Sequence, residues 1–449
     1  MTLTEKFQEA LKIPTFMPPE AHSDDNARFV GEEVLTRFQE FLRGAFPAFH
    51  KTARRWVLSP YSVVYHLPGA GDSRKAALLL AHYDVVPAEK GKWNFDPFEA
   101  EIKDGFVYGR GSLDMKSTMM CMIEAAEILC AEGDKPKRDI WFAFGGDEEC
   151  GGFLGAANTA KWFKERGQRF DFILDEGSPV AENQIKGINS PFALVGIEEK
   201  GYLSLNLTVK QQPGHASIPP KIQAAAVLAR ALCRIAKKPF PYRLSPTVEK
   251  FFASVARFIP GIKGIVMRHA RIFRITLGPL FFKLAAVNPT TEAMLKTTVA
   301  MTMLEGSAAD NVLPSQVRAV VNMRLLWPWT TKAVTAFIKK AVNDKRVEIS
   351  DYEPGSDPVP PNRDYLNYGW QEIKSAVTEV WPGVPVMPFI MVAITDSRHY
   401  KELSNCIFRF SPQKLNLNEL NLIHGHDERI SLENLHNELK FYLHLLRLL

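Results

Sequence analysis

Ala76-Ala77-Leu78-Leu79-Leu80-Ala81-His82-Tyr83-Asp84 is the stretch that reveals the architecture. Six apolar residues in succession, with no polar interruption, are the pattern of a strand covered on both faces, as in a sheet flanked by helices. The run stops at His82-Tyr83-Asp84. Residues two apart in a strand share a face. His82 can therefore offer one ring nitrogen to a metal while Asp84 fixes the ring from behind, the usual device for orienting a ligating imidazole. A satisfied polar pair closing a strand would look the same, and on these residues alone that blander reading is the commoner one.

The flanking sequence repeats the pattern. Residues 140–144 read as a second buried strand ending in Gly145-Gly146, and 171–174 as a third, shorter one. Residues 59–66 read as a strand closed by the turn Pro68-Gly69-Ala70-Gly71. Apolar periodicity predicts helices over 24–45, 117–131 and 154–166. Strands alternating with helices predict a layered α/β domain. Near Gly201 the texture changes. Leu203, Leu205, Leu207 and Val209 alternate with polar residues, as in a sheet with one solvated face. Helix 221–236, strands 296–304 and 316–326, helix 331–342 and strand 346–351 complete a β-α-β-β-α-β order, which is ferredoxin-like. From about residue 355 the α/β texture resumes, with helices over 366–380 and 431–448 and a loop near 391–400. The expected domains are therefore 1–200 and 353–449, two parts of one catalytic domain, with 201–352 inserted between them. Segment 237–295 is an extra helical insertion within the inserted domain.

The chain has 449 residues, of which 46% are apolar and 23% charged, ordinary globular composition. A net charge of +5 is too weak over this length for a nucleic-acid binder. Cys121, Cys130, Cys150, Cys233 and Cys406 are odd in number and include no C-x-x-C pair. That argues against a disulfide framework or a cysteine zinc site and for a reducing compartment. Glu5, Lys6, Glu9 and Lys12 interrupt any signal-peptide core in 1–16, and no apolar run is long enough to span a bilayer. A soluble cytoplasmic protein is the expectation.

Four further clusters carry chemistry. Gly109-Arg110-Gly111-Ser112-Leu113-Asp114-Met115-Lys116 runs through a glycine turn into helix 117–131, where Asp114 could simply cap the helix. Asp147-Glu148-Glu149 follows strand 140–144, and adjacent carboxylates repel one another unless a cation or solvent compensates. Asp175-Glu176 follows strand 171–174. His424-Gly425-His426-Asp427-Glu428 arrives near the C-terminus. Each is weak alone. Together they deliver imidazole and carboxylate to several strand ends, where open α/β sheets bind ligands. That donor set suits a hydrolytic zinc, manganese or cobalt centre. Two His and three carboxylates are enough for two metal ions sharing one bridging carboxylate, with a Glu left over as general base.

At this point the chain resembles a known family: the di-zinc metallopeptidases (metallopeptidase family twenty) that include carboxypeptidase S, glutamate carboxypeptidase, aminoacylase and succinyl-diaminopimelate desuccinylase. The resemblance rests on HYDVVP at 82–87, YGRGSLDMK at 108–116, GDEECGG at 146–152 and LDEG at 174–177. It continues with PGHASIP at 213–219, NVLP at 311–314 and IHGHDERI at 423–430. TDSRHY at 395–400 is most like the branch holding carboxypeptidase S and the N-fatty-acyl-amino-acid synthase/hydrolases. The resemblance implies a zinc-exopeptidase-like layered α/β catalytic domain with an inserted ferredoxin-like α+β lid/dimerisation domain. It implies His82, Asp114, Glu149, Asp175 and His424 as metal ligands, with Asp114 bridging two ions. Asp84 would orient His82, Glu148 would be the general base, and His215 would stabilise the oxyanion. In dimeric members that His reaches the partner's active site. His426 falls on a non-ligand position. Asn311 and Arg324 match inserted-domain residues that contact substrate, Arg324 suiting a terminal carboxylate, and Arg398 is a second candidate for that task. By sequence alone His215 could equally be a turn residue and Arg324 a surface residue on a strand.

The implied reaction is hydrolysis of an amide that releases an amino acid from a dipeptide or N-acyl-amino acid. A deacylase of an N-succinyl or N-acetyl biosynthetic intermediate is the alternative, and a non-catalytic metal-binding scaffold the alternative of another class. Retention of Glu148 speaks against the scaffold. Three positions depart from the family pattern: Gly146 where relatives often carry His, Met115 after the bridging Asp, and Ala393-Ile394 ahead of Thr395. Segment 251–287 mixes Phe and Ile with Arg and Lys. It reads as amphipathic helices packed on the inserted domain or, alternatively, as a peripheral lipid contact.

Overall fold

The apolar run becomes a central strand because nothing in it tolerates water, and helices cover both of its faces. The computed structural model describes residues 1–16, 25–71, 76–183, 188, 190–286, 289–362, 364–366 and 369–449. Residues 24, 287, 367 and 368 of the expected elements lie outside these. In chain order the strands of the two main sheets are β1 (Arg54–Ser59), β2 (Ser62–Leu67), β3 (Ala77–His82), β4 (Ile140–Gly145), β5 (Phe172–Ala181), β6 (Phe192–Glu199), β7 (Gly201–Lys210), β8 (Thr298–Glu305), β9 (Gln316–Leu325), β10 (Glu348–Asp351), β11 (Val386–Met391) and β12 (Ile407–Leu415). The principal helices are α1 (Leu3–Leu11), α2 (Asp25–Ala45), α3 (Lys116–Glu132), α4 (Ala156–Glu165), α5 (Ala224–Ala236), α6 (Pro246–Val255), α7 (Gly261–Arg268), α8 (Ala270–Leu277), α9 (Pro279–Ala285), α10 (Thr331–Val342), α11 (Trp370–Val380) and α12 (Leu432–Leu448).

The chain forms two compact units. The first comprises 1–197, 362–388 and 395–449, the second 198–361 and 389–394. The chain passes from the first unit to the second after residue 197 and back after residue 361, and 389–394 also belongs to the second unit.

The first unit is organised by an eight-stranded mixed sheet in the order β1-β2-β4-β3-β5-β12-β6-β11. β3 runs parallel to β4 and β5, with His82 opposite Gly145 and Leu79 opposite Leu174. These strands therefore end together, on one edge of the sheet. Leu79 packs with Phe142, Leu174 and Phe408 into a core shared with Met119 of α3 and Leu445 of α12. Leu78 and Leu80 point the other way, into a second core with Ala143, Ile173 and Phe163 of α4. Each such Leu contributes about 2 kcal/mol by leaving water.

The helices have local reasons to form where they do. Gly133, with φ 78°, closes α3 in the left-handed conformation that glycine adopts without a Cβ clash. The Ser431 hydroxyl accepts from Asn434 N at the start of α12. Thr2 and Glu5 form a reciprocal capping box on α1, a helix whose T-x-x-E start was legible but not used in the sequence reading. Strands β6, β11 and β12 were likewise not predicted.

The second unit holds a four-stranded antiparallel sheet in the order β8-β9-β7-β10. With α5 and α10 in sequence between the strands, this is the expected ferredoxin-like order. Its core joins Leu203, Leu205 and Leu207 to Leu228 of α5 and Ile338 of α10. Residues 237–295 add α6 to α9 and a further short helix, Pro289–Leu295.

Candidate metal centre

His82, the last residue of β3, is buried with its ring held from behind. Its Nδ1 lies 3.0 Å from the Asp84 carbonyl oxygen, so that nitrogen carries the proton and donates. Nε2 points forward, 3.0 Å from Asp114 Oδ1 and 3.7 Å from Glu176 Oε2. The Asp84 carboxylate does something the sequence did not reveal. Its two oxygens accept from the backbone N–H groups of Glu148 (3.1 Å) and Glu149 (3.0 Å). The residue that orients His82 therefore also fixes the turn Glu148–Cys150 at the end of β4.

Asp114 sits at the middle of the cluster. Oδ1 faces His82, and Oδ2 lies 3.1 Å from His424 Nε2, which is also 3.1 Å from Glu149 Oε1. Two groups of ligand atoms result, His82–Asp114–Glu176 and Asp114–Glu149–His424, each compact enough to hold a metal ion. They share Asp114, one oxygen turned to each. The loop presenting Asp114 is organised by buried Glu428, which accepts from Arg110 Nη1 at 2.5 Å and from the N–H groups of Gly111 (3.1 Å), Leu113 (2.8 Å) and Asp114 (3.3 Å). Lys116, two residues on, is buried and donates to the carbonyls of Ala10 and Ile13, anchoring the loop to the end of α1. Burial pulls its ammonium pKa down to about 7.

One expected ligand, Asp175, lies outside both ligand groups, and its neighbour Glu176 lies in one of them. Asp175 was the expected carboxylate, but its Oδ1 accepts from Glu176 N (2.9 Å) and its Oδ2 from Ser397 N (2.7 Å), and it belongs to neither ligand group. Glu176 faces His82 and Asp114 in the first group. Adjacent strand residues point to opposite faces, so only one of the pair can look into the cluster. The pairing of β5 with β12 is parallel but slips here, Arg409 facing Asp175 and Phe410 facing Ser178. Glu176 and Gly177 therefore bulge out of the ladder, a device that re-aims side chains. Gly177 is required at this point, since a Cβ there would lie 2.3 Å from the Arg409 backbone.

The remaining expected residues are placed as follows. Glu148 is outside both ligand groups but close enough to be repelled by Glu176, Glu149 and Asp114. His424 is in a ligand group, with its backbone at φ 60°, a left-handed conformation uncommon for a non-glycine residue and frequent at functional sites. His426 is exposed and in neither group. Arg398, expected to meet a substrate carboxylate, is buried and donates through Nη2 to the Gly151 carbonyl at 2.6 Å, which His399 Nε2 also meets at 3.1 Å. TDSRHY thus holds two loops of the centre: Asp175 through Ser397, and the Glu148–Gly151 turn through Arg398 and His399. Gly146 also has a reason. A Cβ there would lie 2.8 Å from the Tyr83 ring, which is fixed by Gln39 and the Pro60 carbonyl.

His215, Asn311 and Arg324 belong to the second unit. There, Gly214–His215 pairs with Val312–Leu313, and Ala216 N donates to Asn311 O, so His215 and Asn311 are neighbours. His215 is exposed, with Nδ1 2.8 Å from the Ser217 hydroxyl. The Arg324 guanidinium stacks 5.0 Å over the Tyr202 ring.

The electrostatics of the cluster suit cations. Burial, then repulsion from Glu176, pushes Glu148 far above the ordinary carboxyl range, and burial raises Glu149, Asp175 and Glu176 as well. Asp114 goes the other way. Burial opposes ionisation there, but hydrogen bonds from His424 and His82 outweigh it and hold the carboxyl well down. His424 is raised to about 10, chiefly by its hydrogen bonds to Asp114 and Glu149. Carboxylates packed this closely need positive charge among them, and two imidazole nitrogens with hard oxygens fit a pair of divalent ions.

Known proteins are similar to this chain. A sequence profile of Peptidase family M20/M25/M40 matches residues 78–448. An N-fatty-acyl-amino acid synthase/hydrolase of Xenopus tropicalis is 33% identical over 99% of this chain and 85% of its own. A probable carboxypeptidase S-like protein of Dictyostelium discoideum is 35% identical over 93% of this chain and 80% of its own. Among solved structures, an M20 family metallo-carboxypeptidase from Sulfolobus solfataricus superposes with a TM-score of 0.74 at 17% identity, covering 100% of this chain and 99% of that one.

Proposed function

The chain belongs to Peptidase family M20/M25/M40 and is a hydrolytic enzyme of the metallopeptidase kind, and on that premise we propose that it hydrolyses an amide bond at a two-metal centre, releasing an amino acid from a dipeptide or an N-acyl-amino acid. The observation that carries this reading is the sharing of Asp114 between two ligand groups. His82 and Glu176 would hold one ion, Glu149 and His424 the other, and Asp114 both. Zinc is the first choice, with manganese and cobalt as the others. When bound, such a pair supplies a water of lowered pKa and an electrophile for the carbonyl.

The protein's own groups do the rest. Glu148 receives the proton of the attacking water and returns it to the departing amine. It lies beside both ligand groups without belonging to either, which suits a proton carrier. Asp84 keeps the His82 proton on Nδ1 and holds Glu148 and Glu149 in register. The second unit is proposed as a lid and dimerisation domain, with His215 as a donor to the tetrahedral oxyanion and Arg324 as the partner of the substrate carboxylate. A homodimer is supported by edge strand β8, which leaves Met301, Met303 and Leu304 exposed. The relatives' names, an N-fatty-acyl-amino acid synthase/hydrolase and a carboxypeptidase S-like protein, support substrates whose product is a free amino acid.

The test is a panel of dipeptides and short- and long-chain N-acyl-amino acids, assayed with zinc, manganese or cobalt for wild type and Glu148→Ala, with bound metal counted by plasma mass spectrometry. Wild type should cleave, and the variant should keep two ions while losing about a thousandfold in kcat or more. A fully metal-loaded wild type that cleaves nothing on the panel would overturn the reading.

A further inference from the structure

The insertion in the second unit contains three short helices, α7, α8 and α9, joined by the single residues His269 and Gly278. They bury little of themselves. Gly264, Ala270 and Phe281 are their buried residues. Their aliphatic side chains go the other way. Ile262 with Ile265, Ile272 with Ile275, and Leu280 with Leu284 are pairs three or four residues apart, so each pair occupies one helix face. All six are between 51% and 79% exposed. On a helix of 3.6 residues per turn, Ile272 and Ile275 lie across the axis from buried Ala270. A single exposed isoleucine is ordinary, but three successive helices with outward aliphatic pairs make a surface that something covers.

The charge around this surface is all of one sign. Lys263, Arg268, Arg271, Arg274 and Lys283 are exposed among the aliphatic pairs. No Asp or Glu occurs between Glu249 and Glu292. Among the described residues none of the five cations forms an ion pair. Over the whole chain, these five cations included, acidic and basic residues nearly balance, with 55 Lys and Arg against 50 Asp and Glu.

We propose that α7, α8 and α9 form a docking surface for an anionic lipid bilayer. The aliphatic pairs enter the boundary between headgroups and acyl chains, and the lysines and arginines meet lipid phosphates and carboxylates. Charge complementarity selects this occupant. A second copy placed on the same face about a two-fold axis would set the five cations against themselves. Insertion across the bilayer is excluded by length, since the three helices have 8, 8 and 7 residues against about 20 for a span, and no described helix is long and apolar enough to cross a membrane. This inference does not rest on the amide-hydrolysis reading.

The experiment is co-sedimentation of the full chain with phosphatidylcholine vesicles, with and without phosphatidylserine, at low and high salt. Two double variants are compared, Ile272→Ser with Ile275→Ser, and Arg271→Gln with Arg274→Gln. Wild type should sediment with the anionic vesicles, stay in solution with neutral ones and be released by salt. Each double variant should partition about tenfold more weakly or less. Because these side chains are exposed, both variants should melt with wild type, so loss of binding cannot be loss of fold. Absence of wild-type binding, equal binding to neutral vesicles, or wild-type affinity in both variants overturns the proposal. So does a dimer in sedimentation velocity that Ile272→Ser with Ile275→Ser turns into a monomer, since a second copy would then be the occupant.

Discussion

The strand-end loops of the first unit and helices α7 to α9 of the second invert the usual partition of residues in opposite senses. At the loops, charged groups are taken out of water: His82, Asp84, Asp175 and Glu428 are buried, and Asp114 nearly so. On α7 to α9, isoleucines and leucines are left in it. The loops tolerate their charge because backbone N–H groups converge on each structural carboxylate: two on Asp84, three on Glu428, and two on Asp175. Glu428 has the Arg110 guanidinium as well, and a carboxylate so held keeps its geometry. The carboxylates that lack such donors are the ones that gather around Asp114. The exposed helices have no comparable compensation within the chain. Buried charge with donors is scaffolding, buried charge without them is a site, and apolar surface without cover is an interface.

Substitutions can break this distinction, and the largest effect should come at the shared carboxylate. Asp114→Asn removes the charge common to both ligand groups. Metal stoichiometry should fall from two to one or none, and amide hydrolysis by about a thousandfold or more. Retention of two tightly held ions would show that the groups are independent of Asp114.

Next is the comparison between Asp175 and Glu176, which separates scaffold from site within one dipeptide. Glu176→Gln should cost about one equivalent of metal. Asp175→Asn should keep two ions and lose thermal stability instead, because its amide nitrogen would face donors rather than accept from them. The reverse result would mean that the strand bulge does not turn Glu176 inward.

Asp84→Asn should fall lower on the scale, with metal affinity or activity down by ten- to a hundredfold, as for other groups that orient a ligand without touching the metal.

A buried carboxyl outside both ligand groups gives a pH test. Glu438, on α12 beside Ser117, Thr118, Gln413 and Cys121, is pushed up to about 8 by burial. In the unfolded chain it titrates near about 4.3. Between those values the fold keeps a proton that the unfolded chain has lost. Stability contributed by this group is therefore complete below about pH 4.3, falls as pH rises toward 8, and is flat beyond. Glu438→Gln should remove the decline, so that at pH 9 the variant melts above wild type and at pH 5 at or below it. Parallel melting curves for the two across that range would exclude the raised carboxyl.

The smallest effect belongs to the exposed helices. Ile272→Ser should change stability by no more than about 0.5 kcal/mol in denaturant titration, whereas Phe281→Ser, at the buried residue of α9, should cost about 3 kcal/mol or more. Equal costs would mean that Ile272 is covered by the chain itself.

Much of the molecule was legible from residue order because the signals are local. An unbroken apolar run such as 76–81 can only be a doubly covered strand. Alternation over 202–209 can only be a strand with one wet face. The ferredoxin-like order followed from that periodicity. His82, Asp114, Glu149 and His424 could be singled out as expected ligands only through the resemblance to the family, because on residue order alone each has a blander reading, such as a strand-end pair for His82 or a helix cap for Asp114. Strands β6 and β11 escaped because their apolar residues show no clear period, and β12 because Arg409, Ser411, Pro412, Gln413 and Lys414 interrupt its apolar residues; it is pairing with distant strands that makes them extended. The role of Asp84 toward Glu148 and Glu149 escaped for a related reason: it joins residues 64 and 65 positions apart. Local order could name Asp175-Glu176 as a pair that matters. Which of the two looks inward depends on a register slip against β12, more than two hundred residues away in sequence. Composition could also show that 251–287 is basic and apolar. Which of those apolar side chains the protein buries, Phe281, and which it leaves in water, Ile272 and Ile275, is set by what packs against each helix, and packing is a property of the assembled chain.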